Sequence, residues 1–359
     1  MIMDEKEKKE GKVCIASIGV ATPPFTASQA EVERHLLERY SDSLSSRSRS
    51  LLHSLVNHPA IRKRCFAIED ARSFLAEDPD TRIGRFTRWA VDLSAEAIQK
   101  ALLQAGLATS DVAGVVVNTC TGYICPGIST YLVERLGLAR NTRVYDLVGS
   151  GCGGAIPNLE VAEALVRKAR GKVVLSVSVE ICTATFQMGD DVSLLLSNTL
   201  FGDGVAAAVL WDRPEGLELV ASSSCYVPED RDAIRYVHRH GQLYNQLSTK
   251  LPHMVKKAVA QVVKDLLEPR SLLVEDIRHW ALHTGGEKII NTVKTEIGLS
   301  EEQLSPTRFI LAEYGNMSSP TVWFVLDNIL ARGIERGDFC IMVAFGAGLS
   351  AHSFLLRRV

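Results

Sequence analysis

The sequence predicts an α/β protein of layered type, built from two similar halves. Three observations carry that expectation. Short β-branched apolar runs alternate with segments of helical periodicity, as at 112–118 and 128–136. Several of the runs are continuously apolar rather than alternating, which is how strands buried on both faces read. The alternation then recurs in the second half without a Pro/Gly-rich linker, so halves spanning 13–225 and 226–359 should pack as one body.

The elements follow in order. Residues 1–12 are dominated by charge and read as a disordered N-terminus, without the apolar core of a signal peptide. Residues 13–20 form an apolar strand closed by Thr22-Pro23-Pro24. Periodicity predicts a helix over 28–39, and the Ser- and Arg-rich stretch 41–50 reads as a solvated loop or exposed helix start. A long amphipathic helix is expected over 85–106, with Ala90, Leu93, Ala97, Ile98, Ala101 and Leu102 on one stripe. Strand 112–118, helix 128–136, strand 143–147, helix 153–170 and strand 172–179 come next. Strands 204–211 and 217–222 read as a hairpin around Arg213-Pro214-Glu215-Gly216. The second half gives helix 253–267, strand 279–283, helices 287–297 and 319–332, and a closing hairpin of 339–345 with 350–356 across Gly346-Ala347-Gly348.

Composition removes several classes of function. The 40 Lys and Arg against 42 Asp and Glu leave a net charge of -2, which lacks the basic excess of a nucleic-acid binder. No run of eighteen apolar residues suggests a membrane span. The eight cysteines are scattered without paired CxxC motifs, so no metal site is expected. Unpaired cysteines in a large chain fit a reducing cytoplasm.

One cysteine stands apart. Strand 143–147 runs into Gly149-Ser150-Gly151, then Cys152, then Gly153-Gly154 and a helix. A thiol at a helix N-terminus is placed where free N–H groups and the helix dipole favour a thiolate. This pattern fits a nucleophile in acyl transfer or in proteolysis. A thiolate needs a basic or cationic partner. His53, His58, His238 and His240 lie in polar surroundings and read as surface groups. His283 ends an apolar strand, His279-Trp280-Ala281-Leu282-His283, before a glycine turn, so it is the candidate that points into a cleft. Asn316, in Tyr314-Gly315-Asn316-Met317-Ser318-Ser319-Pro320, reads either as an Asx turn or helix cap or as an amide donor aimed at an oxyanion.

Taken jointly, Gly151-Cys152-Gly153-Gly154, Leu282-His283-Thr284-Gly285-Gly286 and Gly315-Asn316-Met317-Ser318-Ser319 resemble the Cys–His–Asn triad segments of type III polyketide synthases, the chalcone and stilbene synthase-like family. Leu200-Phe201-Gly202-Asp203-Gly204 and Ala344-Phe345-Gly346-Ala347-Gly348 resemble two further segments of that family. The likeness covers about residues 12–358. It implies a duplicated thiolase-type αβαβα layered fold. Ketoacyl-ACP synthase III shares the fold and the triad, but typically follows its histidine with Gln-Ala-Asn, where this chain has Thr284-Gly285-Gly286.

The resemblance also implies a chemistry. Cys152 would carry a starter acyl group, paired as thiolate with a cationic His283. His283 and Asn316 would stabilise the oxyanion formed when a malonyl thioester decarboxylates, and Phe201 would shield the reaction. CoA thioesters are substrates, and no metal or organic cofactor is required. Matched motif by motif, the pocket wall would comprise Cys120, Thr121, Cys125, Cys182, Thr185, Tyr244 and Ser318, with Gly346 and Gly348 in the C-terminal loop. Thr121 and Cys182 are similar to the pair in bacterial alkylpyrone- and alkylresorcinol-forming members, where a tunnel takes an alkyl chain. Cys125 matches a position that reaches into the partner's cavity in the family's homodimer. The cations that grip CoA in plant members fall on Leu51, Ser54 and His58 here. Arg47, Arg49, Arg62, Lys63 and Arg64 stand nearby as substitutes, and acyl-carrier protein is the alternative carrier of the starter. A ketosynthase that stops after one condensation is the remaining alternative.

Overall fold

The structure, a computed structural model, describes residues 11–359. The stretch expected to be disordered therefore lies outside the described residues up to residue 10. Lys12 is tied down by an ion pair to Glu218 at 2.8 Å. Thirteen strands are described: β1 (Cys14–Ala21), β2 (Phe25–Ser28), β3 (Lys63–Phe66), β4 (Val112–Asn118), β5 (Arg143–Leu147), β6 (Val173–Glu180), β7 (Gly204–Trp211), β8 (Leu217–Tyr226), β9 (Ile234–Arg239), β10 (Gln242–Leu247), β11 (His279–Leu282), β12 (Phe339–Gly346) and β13 (Ser350–Arg358).

Nine of them form one mixed sheet in the order β11-β12-β13-β8-β1-β7-β6-β4-β5. β4 runs parallel to β5 and β6, and β11 runs parallel to β12, as strand–helix–strand connections require. The two flanks meet at β1 and β8 through only two pairs, Cys14 with Glu218 and Ile15 with Leu217. Each flank has both faces covered, which explains its continuous apolar strands. Val116, Val174, Ala206 and Ala208 on one flank, and Ala281, Met342, Ala344 and Phe354 on the other, face a shared central cluster. The helices Ala155–Lys168 and Thr321–Arg332 supply the rest of that cluster, including Ile156, Leu159, Trp323 and Phe324. Alternate residues face outward. Val115, Val117, Val177 and Val209 pack against the helix Pro79–Gln104, and Ile341, Val343 and Leu355 against the helix Leu251–Leu267. The result is five layers, α-β-α-β-α. Among the described residues no helix is long and apolar enough to cross a membrane.

Several readings change. β7 and β8 are not a hairpin, because β1 lies between them and pairs with β7 along its length. The turn crosses the end of β1 at Gly216, where a Cβ would collide with the Ile15 carbonyl. The helix Glu301–Tyr314 has no counterpart in the periodicity, because Pro306 interrupts it. It starts at a capping box of Ser300 and Gln303 that marks it locally. The β9–β10 hairpin was also unassigned. Its turn, His240-Gly241, has both residues at positive φ, 50° and 72°, a weaker signal than Asn-Gly. The long helix begins at Pro79 rather than at the expected Arg85, because Asp78 caps it. The Ser/Arg stretch becomes a helix at Ser46–Val56, capped by Ser45.

Candidate active site

The segment around Cys152 is built by close approach. After β5 the chain turns through Gly149 (φ 98°) and Gly151 (φ 55°) into a 3-10 turn, Gly151–Gly153, that carries Cys152. The helix Ala155–Lys168 starts just beyond. Gly346, at the end of β12, lies against this turn. A Cβ there would collide with the Ser150 carbonyl and the Gly153 amide, so only glycine admits the contact.

Cys152 is buried, and its sulfur accepts a hydrogen bond from Ser318 Oγ at 3.2 Å. Burial pushes its thiol up to about 12; the Ser318 hydroxyl opposes that shift and the nearby Glu180 carboxyl adds to it. His283 follows β11, and its backbone N–H donates to the Val343 carbonyl at 2.8 Å. Its ring meets the Phe345 ring edge-on at 5.0 Å. Neither ring nitrogen has a partner, and burial pulls the imidazole down to about 3. Among the described residues no hydrogen bond joins the Cys152 sulfur to His283, and burial disfavours the charged form of each.

Asn316 is buried beside Phe201. The two residues form a parallel bridge, with Asn316 N–H donating to Leu200 O and Gly202 N–H to Asn316 O, both at 3.0 Å. Asn316 Oδ1 accepts from Ser318 N–H at 2.7 Å, an Asx turn that fixes which end of the amide donates. Ser318 itself is held at φ 58°. One loop therefore sets Asn316, Ser318 and, through the bridge, Phe201.

Sequence reasoning missed Glu180. This fully buried carboxylate accepts from Cys120 N–H (3.1 Å), Thr121 Oγ1 (2.9 Å) and Ser319 Oγ (2.9 Å), with Ser318 Oγ at 3.4 Å. Its signal was present, as the one acid ending the apolar strand β6. Burial raises it above the ordinary carboxyl range.

A cavity of about 560 Å3 opens over Cys152, lined by Cys120, Phe201, Ser318 and Gly348 among the expected residues. Tyr236, Leu243 and Asn245 from the β9–β10 hairpin complete its wall. Tyr244 does not. It points to a separate cleft with Val237 and Met254, because side chains alternate along a strand and a shift of one residue reverses the face. Cys182 and Thr185 line a smaller inner cavity of about 80 Å3. Phe201 and Asn245 border both cavities, and a hydrogen bond between Tyr236 and Thr185, 3.3 Å, lies across the partition. The open tunnel expected past Cys182 is therefore closed in this structure. Thr121 is turned to Glu180 and to the Ile181 N–H, away from both spaces. Cys125 is exposed, next to a cis peptide bond to Pro126. Gly346 sits behind the nucleophile rather than in the wall.

Residues 67–264 match the family profile described as FAE1/Type III polyketide synthase-like protein, and residues 218–359 match the C-terminal domain of chalcone and stilbene synthases. The chain belongs to the type III polyketide synthases. It is 30% identical over 294 residues to the 3,5-dihydroxyphenylacetyl-CoA synthase of Streptomyces toyocaensis, covering 79% of this chain and 75% of that one. The crystal structure of PKS-I from the brown alga Ectocarpus siliculosus superposes with a TM-score of 0.88 at 26% identity, covering 98% of this chain and 99% of the other. The 1,3,6,8-tetrahydroxynaphthalene synthase of Streptomyces coelicolor A3(2) gives 0.89 at 24% identity, covering 97% and 99%. The five-layer fold of this polyketide synthase is thus the thiolase type, and the enzyme is an acyltransferase of the decarboxylating, condensing kind.

The cations named as substitutes for a CoA grip are mostly engaged. Arg62 and Lys63 pair with Glu313, and His58, at one of the matched plant positions, pairs with Glu287 at 3.1 Å. Arg49 donates to the Ser41 and Leu44 carbonyls, and Arg64 is buried.

Proposed function

We propose that this polyketide synthase extends an aliphatic acyl starter on Cys152 by repeated condensation with malonyl-CoA and closes the product to an alkylpyrone or alkylresorcinol. The observation that carries this reading is the convergence of Cys152 and Ser318 in one cavity with Phe201, whose backbone is bridged to Asn316.

Loading transfers the thiol proton of Cys152 to His283 as sulfur attacks the starter thioester, and CoA leaves with a proton. Malonyl-CoA then loses carbon dioxide. The electron pair left behind becomes an enolate whose oxygen takes hydrogen bonds from His283 and Asn316. The enolate carbon attacks the acyl–Cys152 carbonyl, a carbon–carbon bond forms and the sulfur of Cys152 leaves as thiolate; it then attacks the new β-ketoacyl-CoA thioester and expels CoA before the next round.

Two features support the starter and the product. Aliphatic and aromatic side chains make up most of the wall of the inner cavity, which suits methylene groups. The 3,5-dihydroxyphenyl ring in the name of the Streptomyces toyocaensis relative is itself a resorcinol ring. CoA is the proposed carrier of starter and extender, with acyl-carrier protein the alternative for the starter. A homodimer is proposed as well. Tyr123, Tyr145 and Val148 are exposed at the sheet edge formed by β5, next to the Cys125 loop, and would be covered by a second copy.

Mass spectrometry of products formed from malonyl-CoA and a panel of acyl-CoAs, beside Cys152→Ala, tests the reading. Cys152-dependent alkylpyrones or alkylresorcinols are expected. Products of a single condensation only, or acetyl-CoA serving as well as octanoyl- to palmitoyl-CoA, would overturn it.

A further inference from the structure

The inner cavity contains a charge that the chemistry above does not use. Its wall is apolar, with Val32, Leu36, Phe66, Phe74, Phe186 and Leu194. Arg64 lines it too, although only 1% of this residue is exposed. Its Nε donates to Gln29 Oε1 at 3.0 Å, and one terminal nitrogen donates to the carbonyls of Asn198 and Phe201 at 2.9 and 2.6 Å. Among the described residues the other terminal nitrogen is buried without a hydrogen-bond partner, while the guanidinium lies over the Phe66 ring at 5.0 Å.

Among the described residues no carboxylate pairs with this guanidinium. The opposing charge that acts on it is Asp203, whose oxygens are taken by Ala67 N–H, Thr183 N–H and Thr183 Oγ1. Desolvation accordingly pulls Arg64 down to about 9. A buried, charged donor without an acceptor is destabilising, so its presence asks for a ligand or a reason. The fold is shaped around it. Cβ atoms at Gly315 and Gly202 would stand 2.8 and 3.4 Å from its side chain. Three hydrogen bonds and this packing make the free edge of Arg64 a fixed donor rather than a mobile one.

We propose that the inner cavity seats the far end of the starter, and that the free edge of Arg64 selects an acyl chain whose ω carbon carries a carboxylate. The chain enters past Phe201 and Asn245, which border both cavities, as the Tyr236–Thr185 contact yields. The apolar walls hold the methylenes, and the carboxylate replaces the missing partner of Arg64. A carboxylate fits better than a neutral oxygen because the unmet group is a charge. This inference rests on the acyl-transfer reading.

The test separates the two. Calorimetry with Cys152→Ala needs no turnover. It compares acyl-CoAs of equal length, six to twelve carbons, that end in methyl or in ω-carboxylate; the CoA contribution cancels in each pair. At the best length the ω-carboxyl compound should bind about tenfold tighter or more. Adding Arg64→Met should reduce that ratio to near one. If this variant does not fold, Leu36→Trp, which fills the cavity, should abolish the ratio instead. A ratio of one or less at every length, or a ratio that survives both substitutions, overturns the proposal. Absence of any Cys152-dependent product from the wild-type enzyme would instead sink the acyl-transfer reading, whatever the binding ratio.

Discussion

Removing the Ser318 hydroxyl should make Cys152 a weaker acid and a slower nucleophile. Ser318 Oγ stands 3.2 Å from the sulfur and opposes the rise that burial imposes. Neither His283 nitrogen hydrogen-bonds the sulfur. A hydrogen bond to a charged acceptor is worth about 1.5–3 kcal/mol. One unit of pKa corresponds to about 1.4 kcal/mol, so Ser318→Ala should raise the apparent thiol pKa by roughly one to two units. At fixed neutral pH the thiolate fraction then falls about 10- to 100-fold. The assay is the pH dependence of iodoacetamide alkylation, with peptide mass spectrometry to separate Cys152 from Cys120, which also lines the cavity. Alkylation of Cys152 in Ser318→Ala at or above the wild-type rate would refute the reasoning and return the task of activation to His283 alone.

Two further outcomes follow from the same geometry. Tyr236→Ala removes the hydroxyl bonded to Thr185 and joins the two cavities; the preference for dodecanoyl- over acetyl-CoA, read as a ratio of kcat/KM in competition, should rise about tenfold, equivalent to burying roughly two further methylenes. His352 is buried on β13, with only its Nδ1 bonded, to Ser224 at 2.8 Å, and burial pulls it down to about 4. A histidine depressed in the folded state costs stability only once the unfolded chain takes up its proton. Its share is therefore nil above about pH 7, grows as pH falls through the usual 6.5, and reaches about 2 kcal/mol at pH 5. Denaturant titrations of His352→Gln should show a correspondingly flatter loss of stability between pH 7 and 5 than wild type, and parallel curves would sink the assignment.

The elements that were legible in the sequence are those whose signal is local. Val112–Asn118 and Glu287–Ile297 carry their periodicity and their end residues within a dozen positions. Cys152 was legible because strand, glycine turn and helix are adjacent in sequence. Glu301–Tyr314 was obscured by Pro306, although its capping box was in view. The β7–β8 hairpin failed for a different reason. Whether two neighbouring strands pair depends on whether a third strand, here β1 from two hundred residues away, takes the place between them.

The sequence alone determined the layered α/β class and the family, and it singled out one thiol, one histidine and one amide as candidates for the site. Those follow from residue type and order. Tertiary structure alone decided the burial of Cys152 and His283, which disfavours the charged form of each, because it comes from elements scattered along the whole chain. It also decided which pocket residues share a space. Tyr236 and Asn245, not Tyr244, face Cys152 because the register of one hairpin sets the facing of every residue in it. Glu180 and Arg64 gained their meaning only when folding removed them from water, where an acid or a cation without its full set of partners becomes costly.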